Sequence, residues 1–413
     1  MKLPTLQNLL DHAPSLATGL VVGYSLTKGF VISGASQVIF TLLGNFSLLA
    51  AVGLTLITLL RIRTRLVNVL ITLLLMAQAI FVFGIGYIEY EYFTARYALY
   101  LIQMLIILIS VFSQHFSTRV FTAVVIGFYL LAAAVLLSTG ASVTQAYDSG
   151  SLVSTDTDSL NNYQALAHVF GVTATIFAIV AFSRGDKGWL RIWLGAVAIV
   201  FLILTFYSGG RGELIGSVIV VLVTISRSHL LTKMATLLGV IAILSHSDIL
   251  YELQQSAGYN RILYAIENRD TGMRAQLFTE ALNQYGSGNA AELFLGQGVN
   301  AFQRFHDYSW GFYPHNFLIE TLLTSGLFMF LFYFMLYANI TLGLFSKVAK
   351  RSLWNSLFFG IGCNYLVLTM KSGTISGSIA GIAFLFVAWF RPEMRSFSIK
   401  RDVPSGATAR SST

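Results

Sequence analysis

The chain has 413 residues, of which 55% are hydrophobic and only 11% are charged. A soluble domain normally carries about 25% charged residues, so this composition excludes an ordinary soluble globule and indicates an integral membrane protein. The formal net charge is +8, and the single cysteine, Cys363, excludes internal disulfides and any multi-cysteine metal site.

Apolar runs long enough to cross a bilayer recur along the chain. A transmembrane helix needs ~20 mostly apolar residues. The runs predict an all-α polytopic membrane protein with about 12 spans, and we do not expect the first run, which contains Lys28, to be a cleaved signal peptide. The predicted spans are 15–34, 36–60, 66–86, 97–113, 120–139, 164–183, 190–208, 212–226, 231–250, 316–345, 353–370 and 373–390.

The distribution of charge predicts the orientation. An even number of spans puts both termini on one side of the membrane. With alternating spans, that side holds 18 of the 26 basic residues and 4 of the 18 acidic ones, a charge of +14, whereas the rest of the chain carries −6. Because cytoplasmic loops are enriched in Lys and Arg, both termini are predicted to be cytoplasmic. The positive net charge therefore records orientation and does not imply a nucleic-acid partner.

The chain is predicted to form one membrane-embedded domain, residues 1–391, followed by a disordered cytoplasmic tail, 392–413, which is basic and then rich in Ser, Thr and Gly. The external segment 140–163 is polar and is expected to be a solvated cap. The external loop 251–315 is long enough to have structure of its own. Nucleotide-binding and hydrolase motifs are absent from the sequence, so any chemistry is expected among polar groups at the external membrane face.

A polar turn, Tyr207–Leu214 (Tyr-Ser-Gly-Gly-Arg-Gly-Glu-Leu), joins the seventh and eighth predicted spans externally. Gly212 and Glu213 are expected to begin the next helix, whose first backbone N–H groups favour an anion. Arg211 opposes the positive-inside trend and offers a multi-donor fork suited to phosphate. The alternative is a plain glycine hairpin in which Arg211 snorkels or pairs with Glu213.

The external loop contains a second basic candidate, Arg274. Apolar side chains around it recur at helical spacing and predict a helix that starts near residue 271 or 272 and lies against the membrane domain. A cation in its first turn is disfavoured, so an anionic partner is expected: Asp270, Glu267 or a ligand phosphate. The apolar residues of this pattern are Leu277, Phe278, Ala281, Leu282 and Tyr285.

The loop ends in Gly296-Gln297-Gly298, which suits a turn, and in Pro314, which fits a helix start just after it. His315 is then expected at the external mouth of the tenth span. Histidine titrates near neutral pH and suits general-base chemistry, although a lone histidine at an interface is more often structural. Glu320 lies deeper, where an acid is costly, and either orients His315 or pairs with another buried polar group.

In their order and topology, these segments resemble the O-antigen polymerase and O-antigen ligase family of bacterial envelope glycosyltransferases. That family carries an S-x-x-R-G-like segment at an external hairpin, an arginine in a helix of a large external loop, a G-x-G turn, H-N-x-x-L-E entering the next span, and a Gly-Leu pair. The resemblance covers about residues 205–330. The matching residues are Ser208-Gly209-Gly210-Arg211-Gly212, Arg274, Gly296-Gln297-Gly298, His315-Asn316-Phe317-Leu318-Ile319-Glu320 and Gly326-Leu327.

The resemblance implies a fold of the GT-C kind in the bacterial inner membrane, with its active site facing the periplasm. The donor would be a glycan on undecaprenyl diphosphate, with no metal, nucleotide or other cofactor. Arg211 and Arg274 would hold the diphosphate, and His315 would be the general base or would orient the acceptor. A chain-length regulator is the implied protein partner. Supporting candidates are Glu213, Arg304, Asn316, Glu320 and Lys371.

Two other functions stay open. A ligase would use the same donor but transfer the glycan to lipid A–core; the Gly-Gly-Arg-Gly-Glu form and the modest loop look more like polymerases. A lipid-linked oligosaccharide flippase or secondary transporter also often has about twelve spans. Such a transporter should place ionisable residues near the bilayer midplane. The residues that hint at such a polar path are Lys28, Gln78, Gln103 and His168.

The orientation can be tested with a reporter that is active only in the cytoplasm. Fused after Gly288, in the predicted external loop, the reporter should be inactive; the control fusion after Arg63, in a predicted cytoplasmic loop, should be active. Activity after Gly288 would overturn the predicted orientation.

Overall fold

The computed structural model describes residues 6–28, 35–61, 66–90, 95–138, 157–183, 188–226, 259, 263, 273–299, 301–304, 313–347, 352–372, 378–391 and 394. The regular elements in these residues are all helices, which confirms the predicted all-α class. In chain order they are α1 (Leu6–Asp11), α2 (Ala13–Lys28), α3 (Ala35–Arg61), α4 (Leu66–Tyr90), α5 (Ala95–Phe112), α6 (Thr118–Ser138), α7 (Thr157–Ser183), α8 (Gly188–Tyr207), α9 (Arg211–Ser226), α10 (Met273–Gly286), α11 (Ala290–Leu295), α12 (Ala301–Arg304), α13 (Phe317–Lys347), α14 (Leu353–Ser372) and α15 (Ile379–Phe390).

Eleven of the predicted spans overlap a helical segment of the described residues; the ninth, 231–250, lies outside them. Within the described part, seven helices are long and apolar enough to cross a membrane, and three shorter helices are also apolar. The chain is therefore a multi-span helical membrane protein. The number of spans and the sidedness stay predictions.

The structure bears on one predicted connecting segment. The last residues of the external cap 140–163, from Thr157, already belong to α7. The sequence Thr-Asp-Ser-Leu-Asn-Asn is polar, so the helix extends beyond the apolar run from which the span was predicted. The tail 392–413 lies outside the described residues apart from Met394.

The most deeply buried helix is α15. Ten consecutive residues, Ile379–Ala388, are all buried, and a helix that is apolar on every side is expected to lie in the interior. It packs against α2, α5, α13 and α14. The helices α3, α4 and α8, by contrast, have few fully buried residues, as expected for helices that face lipid.

Helix α13 is broken at Gly326, where φ is 75° and ψ is −178°. In a straight helix, residues 317 and 333 would be about 24 Å apart along the axis. Instead, the ring of Phe317 lies 5.0 Å from that of Tyr333 and 5.9 Å from that of Tyr337. The short arm, residues 317–325, therefore folds back beside the long arm, residues 327–347. The predicted tenth span, 316–345, is thus two helical arms rather than one continuous helix.

A backbone clasp holds this reversal. The amide of Gln297 donates to the Leu323 carbonyl at 2.9 Å, and that of Gly298 donates to the Thr324 carbonyl at 3.1 Å. These bonds satisfy carbonyls that the end of the short arm would otherwise leave without partners. A Cβ on Gly326 would overlap the Phe294 carbonyl, and a Cβ on Gly296 would overlap the Thr324 carbonyl. The G-x-G turn and the Gly-Leu pair therefore form a single feature.

Gly326→Ala should destabilise the fold, because alanine at this positive φ is strained and its methyl would meet the Phe294 backbone. The free energy of unfolding should fall by about 1–3 kcal/mol, measured as a lower thermal unfolding midpoint in detergent. The matched control is Gly127→Ala in α6, where a Cβ meets nothing within 4 Å; it should be neutral or slightly stabilising. A Gly326→Ala protein as stable as wild type would contradict the clasp.

Candidate functional site

The polar turn before α9 has the predicted position. The amides of Ser208 and Gly209 donate to Leu204 and Phe206 carbonyls at 3.0 and 2.9 Å and close α8. Helix α9 begins at Arg211, one residue earlier than predicted. Arg211 is thus the first residue of a helix, at the end that favours anions. The Arg211 side chain lies outside the described part of the structure.

Glu213 in this turn is a buried charge, and its partner is Lys371. Glu213 Oε2 accepts from Lys371 Nζ at 2.7 Å, with the two side chains 1% and 16% exposed. The acid lies in the first turn of α9 and the cation in the last turn of α14, where each complements the helix dipole. Removing one partner of a buried pair typically costs about 3–5 kcal/mol, because the other charge is left unpaired.

The sequence did not reveal this pairing, since 158 residues separate its members. One feature of the sequence nevertheless indicated that Lys371 needs a partner. Lys371 is a cation at an end of a span predicted to be external, against the positive-inside trend, and such a residue needs an anionic partner. The resemblance implies only that Lys371 and Glu213 are both supporting candidates, not that they pair.

Hydrogen bonds beneath the pair tie α9 to its neighbours. The Ser217 hydroxyl bonds Asn364 Oδ1 at 2.9 Å, and Asn364 Nδ2 donates to Thr175 Oγ1 at 3.0 Å. The three residues are on α9, α14 and α7 and are buried. Paired polar groups of this kind fix helices against each other in an apolar interior.

A second buried polar cluster surrounds His168. Its Nε2 lies 2.7 Å from the hydroxyl of Tyr129, and that hydroxyl donates to the Tyr365 hydroxyl at 2.6 Å. The rings of all three meet edge to face. His168 was predicted only as a hint of a polar path; the structure places it in this three-residue cluster between α6, α7 and α14.

Helix α10 matches the helix predicted in the external loop, and it packs against α13. Leu277 and Ala281 are buried in a small core with Ile319 and Leu323 of the short arm. The predicted apolar face was partly wrong, because Phe278 and Leu282 are 37% and 38% exposed. Neither side chain belongs to this small core, which helical spacing alone cannot show.

The two arginines of the external loop are described only by their backbone. Arg274 lies in the first turn of α10, as predicted, and Arg304 is the last residue of α12. Their side chains lie outside the described part of the structure, as do Glu267 and Asp270, the predicted partners of Arg274. Helix α10 contacts α11 and α13, so Arg274 belongs to the same group of helices as the short arm that follows His315.

His315 has a strained backbone. Its φ is 53°, and among the described non-glycine residues it alone has a positive φ. The imidazole lies against the ring of Tyr313, with ring centroids 3.8 Å apart and the ring planes tilted by 39°. Strain of this kind persists only where the surroundings impose it, and it is concentrated at functional sites.

Asn316 has a structural role. Its Oδ1 accepts from the Ile319 amide at 3.1 Å, which is the geometry of a helix N-cap for the short arm. Glu320 is half-buried on the same arm, and its backbone amide donates to the Asn316 carbonyl at 2.9 Å. Orientation of His315 by Glu320 stays a prediction.

The reversal at Gly326 brings the segment of His315 to the end of α14. Phe317 follows His315 by two residues, and its ring lies 5.9 Å from that of Tyr337. The Tyr337 hydroxyl bonds Thr369 Oγ1 at 2.5 Å, in the last turns of α14. A straight α13 would have carried Phe317 about 30 Å along the axis from Tyr337.

The same end of α14 carries Lys371, which pairs with Glu213, two residues after Arg211. A continuous chain of contacts through the end of α14 therefore joins the two candidate segments around Arg211 and His315. In the sequence these segments are separated by the whole external loop. Hydropathy could place each at a helix end but could not show that α14 links them.

A small groove lies beside the short arm, between α4, α5 and α13, with a volume of about 30 Å³. Its polar lining groups are on Gln78, Tyr100, Thr321, Ser325 and Tyr333.

Among the described residues, no group of three or more His, Cys, Asp or Glu side chains could hold a metal ion. Comparison with known proteins matches the chain to no family model and to no curated protein.

Asn316→Ala should remove the N-cap of the short arm and lower the free energy of unfolding by about 1 kcal/mol. Asn316→Ser keeps a capping oxygen and should stay close to wild type in thermal unfolding. If the serine variant unfolded at as low a temperature as the alanine variant, the capping role of Asn316 would be contradicted.

Proposed function

We propose that the chain is an O-antigen polymerase of the bacterial inner membrane. It would transfer a growing glycan from undecaprenyl diphosphate to a sugar hydroxyl of another lipid-linked repeat unit at the periplasmic face. The proposal includes about twelve spans, a GT-C-like fold and cytoplasmic termini. It rests on one observation above all: the segments of Arg211 and His315, distant in sequence, are joined through the end of α14.

The chemistry of the donor suits these residues. As the acceptor oxygen attacks the anomeric carbon, the bond from that carbon to the diphosphate oxygen breaks, and the electron pair leaves with the diphosphate. Arg211 and Arg274 would bind the growing negative charge without a metal. Each could contribute on the order of 2–4 kcal/mol to the transition state. The N-terminus of α9 adds backbone donors beside Arg211.

The acceptor proton would pass to the imidazole of His315. General-base catalysis of this kind is worth about 10²–10⁴-fold. The left-handed backbone and the ring contact with Tyr313 restrict the orientation of the imidazole, which favours a positioned base over a mobile surface histidine. Cleavage of the diphosphate ester supplies the free energy. Arg304 would be a further contact to phosphate or glycan, and a chain-length regulator the protein partner.

The ligase alternative shares this donor chemistry and differs in the acceptor. The two predict different products when the protein is deleted. Loss of a polymerase should leave one repeat unit on lipid A–core, whereas loss of a ligase should leave polymer stranded on the lipid carrier. Gel analysis of lipopolysaccharide from the deletion strain therefore decides between them.

One observation favours a transporter or flippase instead. The cluster of His168, Tyr129 and Tyr365 is buried within the helix bundle, and intramembrane ionisable residues often mark transport pathways. A flippase would not form glycosidic bonds. Incubation of the purified protein with lipid-linked repeat units should therefore yield longer glycans if it is a polymerase and unchanged substrates if it is a flippase.

His315→Ala and Arg211→Ala should each abolish polymer ladders while protein levels stay normal. Rates should fall by about 10²-fold or more, because each variant removes a group that acts in the transition state. The matched controls are His115→Ala and Arg61→Ala, exposed residues near other helix ends; both should give wild-type ladders. Wild-type ladders in the His315 and Arg211 variants would reject the catalytic assignment.

A further inference from the structure

We propose that Glu213 and Lys371 form a positioning pair that fixes the backbone around Arg211, so that Lys371 acts through Glu213 rather than by binding phosphate itself. This inference rests on the proposed function, because it concerns how Arg211 is held for the donor diphosphate. Neither residue is proposed to touch the reacting atoms.

The pair joins the ends of α9 and α14 through a short contact in a buried position. The distance from Nζ to Oε2 is 2.7 Å, and the Glu213 side chain is only 1% exposed. A charge this buried is tolerated only with a well-placed partner. The other carboxylate oxygen, Oε1, is buried with no hydrogen-bond partner among the described residues. Lys371 is therefore essential to Glu213, and the first turn of α9 is anchored to α14.

The glycines on either side of Arg211 leave the space that this pair occupies. A Cβ on Gly212 would overlap the Cδ of Lys371, so the lysine stem lies directly on the helix backbone. A Cβ on Gly210 would overlap the Cβ of Ala167 and would come within 2.7 Å of Glu213 Oε2. The backbone is thus packed against the pair immediately before and after Arg211. In Gly-Arg-Gly-Glu, both glycines provide clearance for packing.

Direct phosphate binding by Lys371 would conflict with this geometry. The ammonium group would have to leave Glu213, whose carboxylate would then stay buried and unpaired. A phosphate drawn to Lys371 would also approach that carboxylate and be repelled. Arg211, by contrast, starts the helix at the end where backbone donors point outward.

The anchor also relates Arg211 to His315. Thr369, two residues before Lys371, bonds the Tyr337 hydroxyl at 2.5 Å, and the ring of Tyr337 packs on Phe317. The last turns of α14 therefore hold both candidate segments. Displacement of a catalytic group by about 1 Å can cost about 10²-fold in rate, so a loosened anchor should reduce turnover.

The test is a double-mutant cycle on the purified full-length protein, with Lys371→Met, Glu213→Gln and the combination, assayed with lipid-linked repeat units. Each single variant should lower kcat by about tenfold or more, with little change in the KM for the donor. The double variant should be no slower than the slower single one, because the residues act as a unit. Wild-type kcat in Glu213→Gln, together with a raised donor KM in Lys371→Met, would overturn the proposal.

Two controls separate positioning from general destabilisation. Asp11→Asn and Arg61→Met neutralise an exposed ion pair of 3.4 Å and should leave kcat unchanged. Asn339→Ala removes a buried hydrogen bond of 3.0 Å to the Ala388 carbonyl. It should lower the unfolding temperature but leave kcat per folded molecule near wild type. A loss of kcat in Asn339→Ala equal to that in Lys371→Met would show a merely structural effect.

Hydrogen exchange gives a readout that does not depend on activity. The Leu214 amide donates to the Gly210 carbonyl at 3.0 Å across the Arg211 turn. Exchange of residues 209–214 should accelerate by about tenfold or more in Lys371→Met and Glu213→Gln, but not in Asn339→Ala. If wild type transfers no glycan yet exchange responds, the proposed function fails and the pair stands. If Arg211→Ala is inactive while Lys371→Met leaves both kcat and exchange unchanged, the pair fails and the function stands.

Discussion

The arrangement of the candidate site depends on the reversal of α13 at Gly326. A helix cannot turn back within an apolar environment unless the carbonyls at its end find donors. Amides of Gln297 and Gly298 supply those donors, so the external loop and the broken helix stabilise each other. The reversal carries Phe317 to Tyr337 and thereby places the segment of His315 beside the end of α14. Without it, Phe317 would lie about 30 Å along the helix axis from Tyr337.

Helix α14 connects the functional candidates because its polar residues face three different neighbours. Asn364 bonds α9 and α7, Thr369 bonds α13, and Lys371 pairs with the first turn of α9. In a largely apolar bundle, unpaired polar groups are costly, so each of these contacts restricts how the helices can be arranged. The proposed glycan transfer needs such restriction, because a phosphate-binding arginine and a base are useful only at a fixed separation.

The contacts in the structure give several site residues a role different from the one that the sequence suggested. Asn316, which the sequence suggested as a supporting residue of the site, caps the short arm. Gly210 and Gly212, interpreted as turn residues, give room to Glu213, Ala167 and the Lys371 stem. His168, a hint of a transport path, belongs to a cluster with two tyrosines. For His168 and Gly212 the contacting residues are far away in the sequence, whereas Asn316 caps an amide only three residues further on.

The sequence by itself determined the helical membrane class, the helical segments that overlap the predicted spans in the described residues, the helix in the external loop and the start of α9 to within one residue. These properties follow from local hydropathy, helical periodicity and turn chemistry, because each of these signals comes from residues that are close together in the sequence. Only the tertiary structure decided the reversal within the predicted tenth span, the pairing of Glu213 with Lys371, and the path of contacts between Arg211 and His315. Those features depend on groups far apart in the chain. A hydropathy pattern cannot show that a single glycine reverses an otherwise continuous apolar helix.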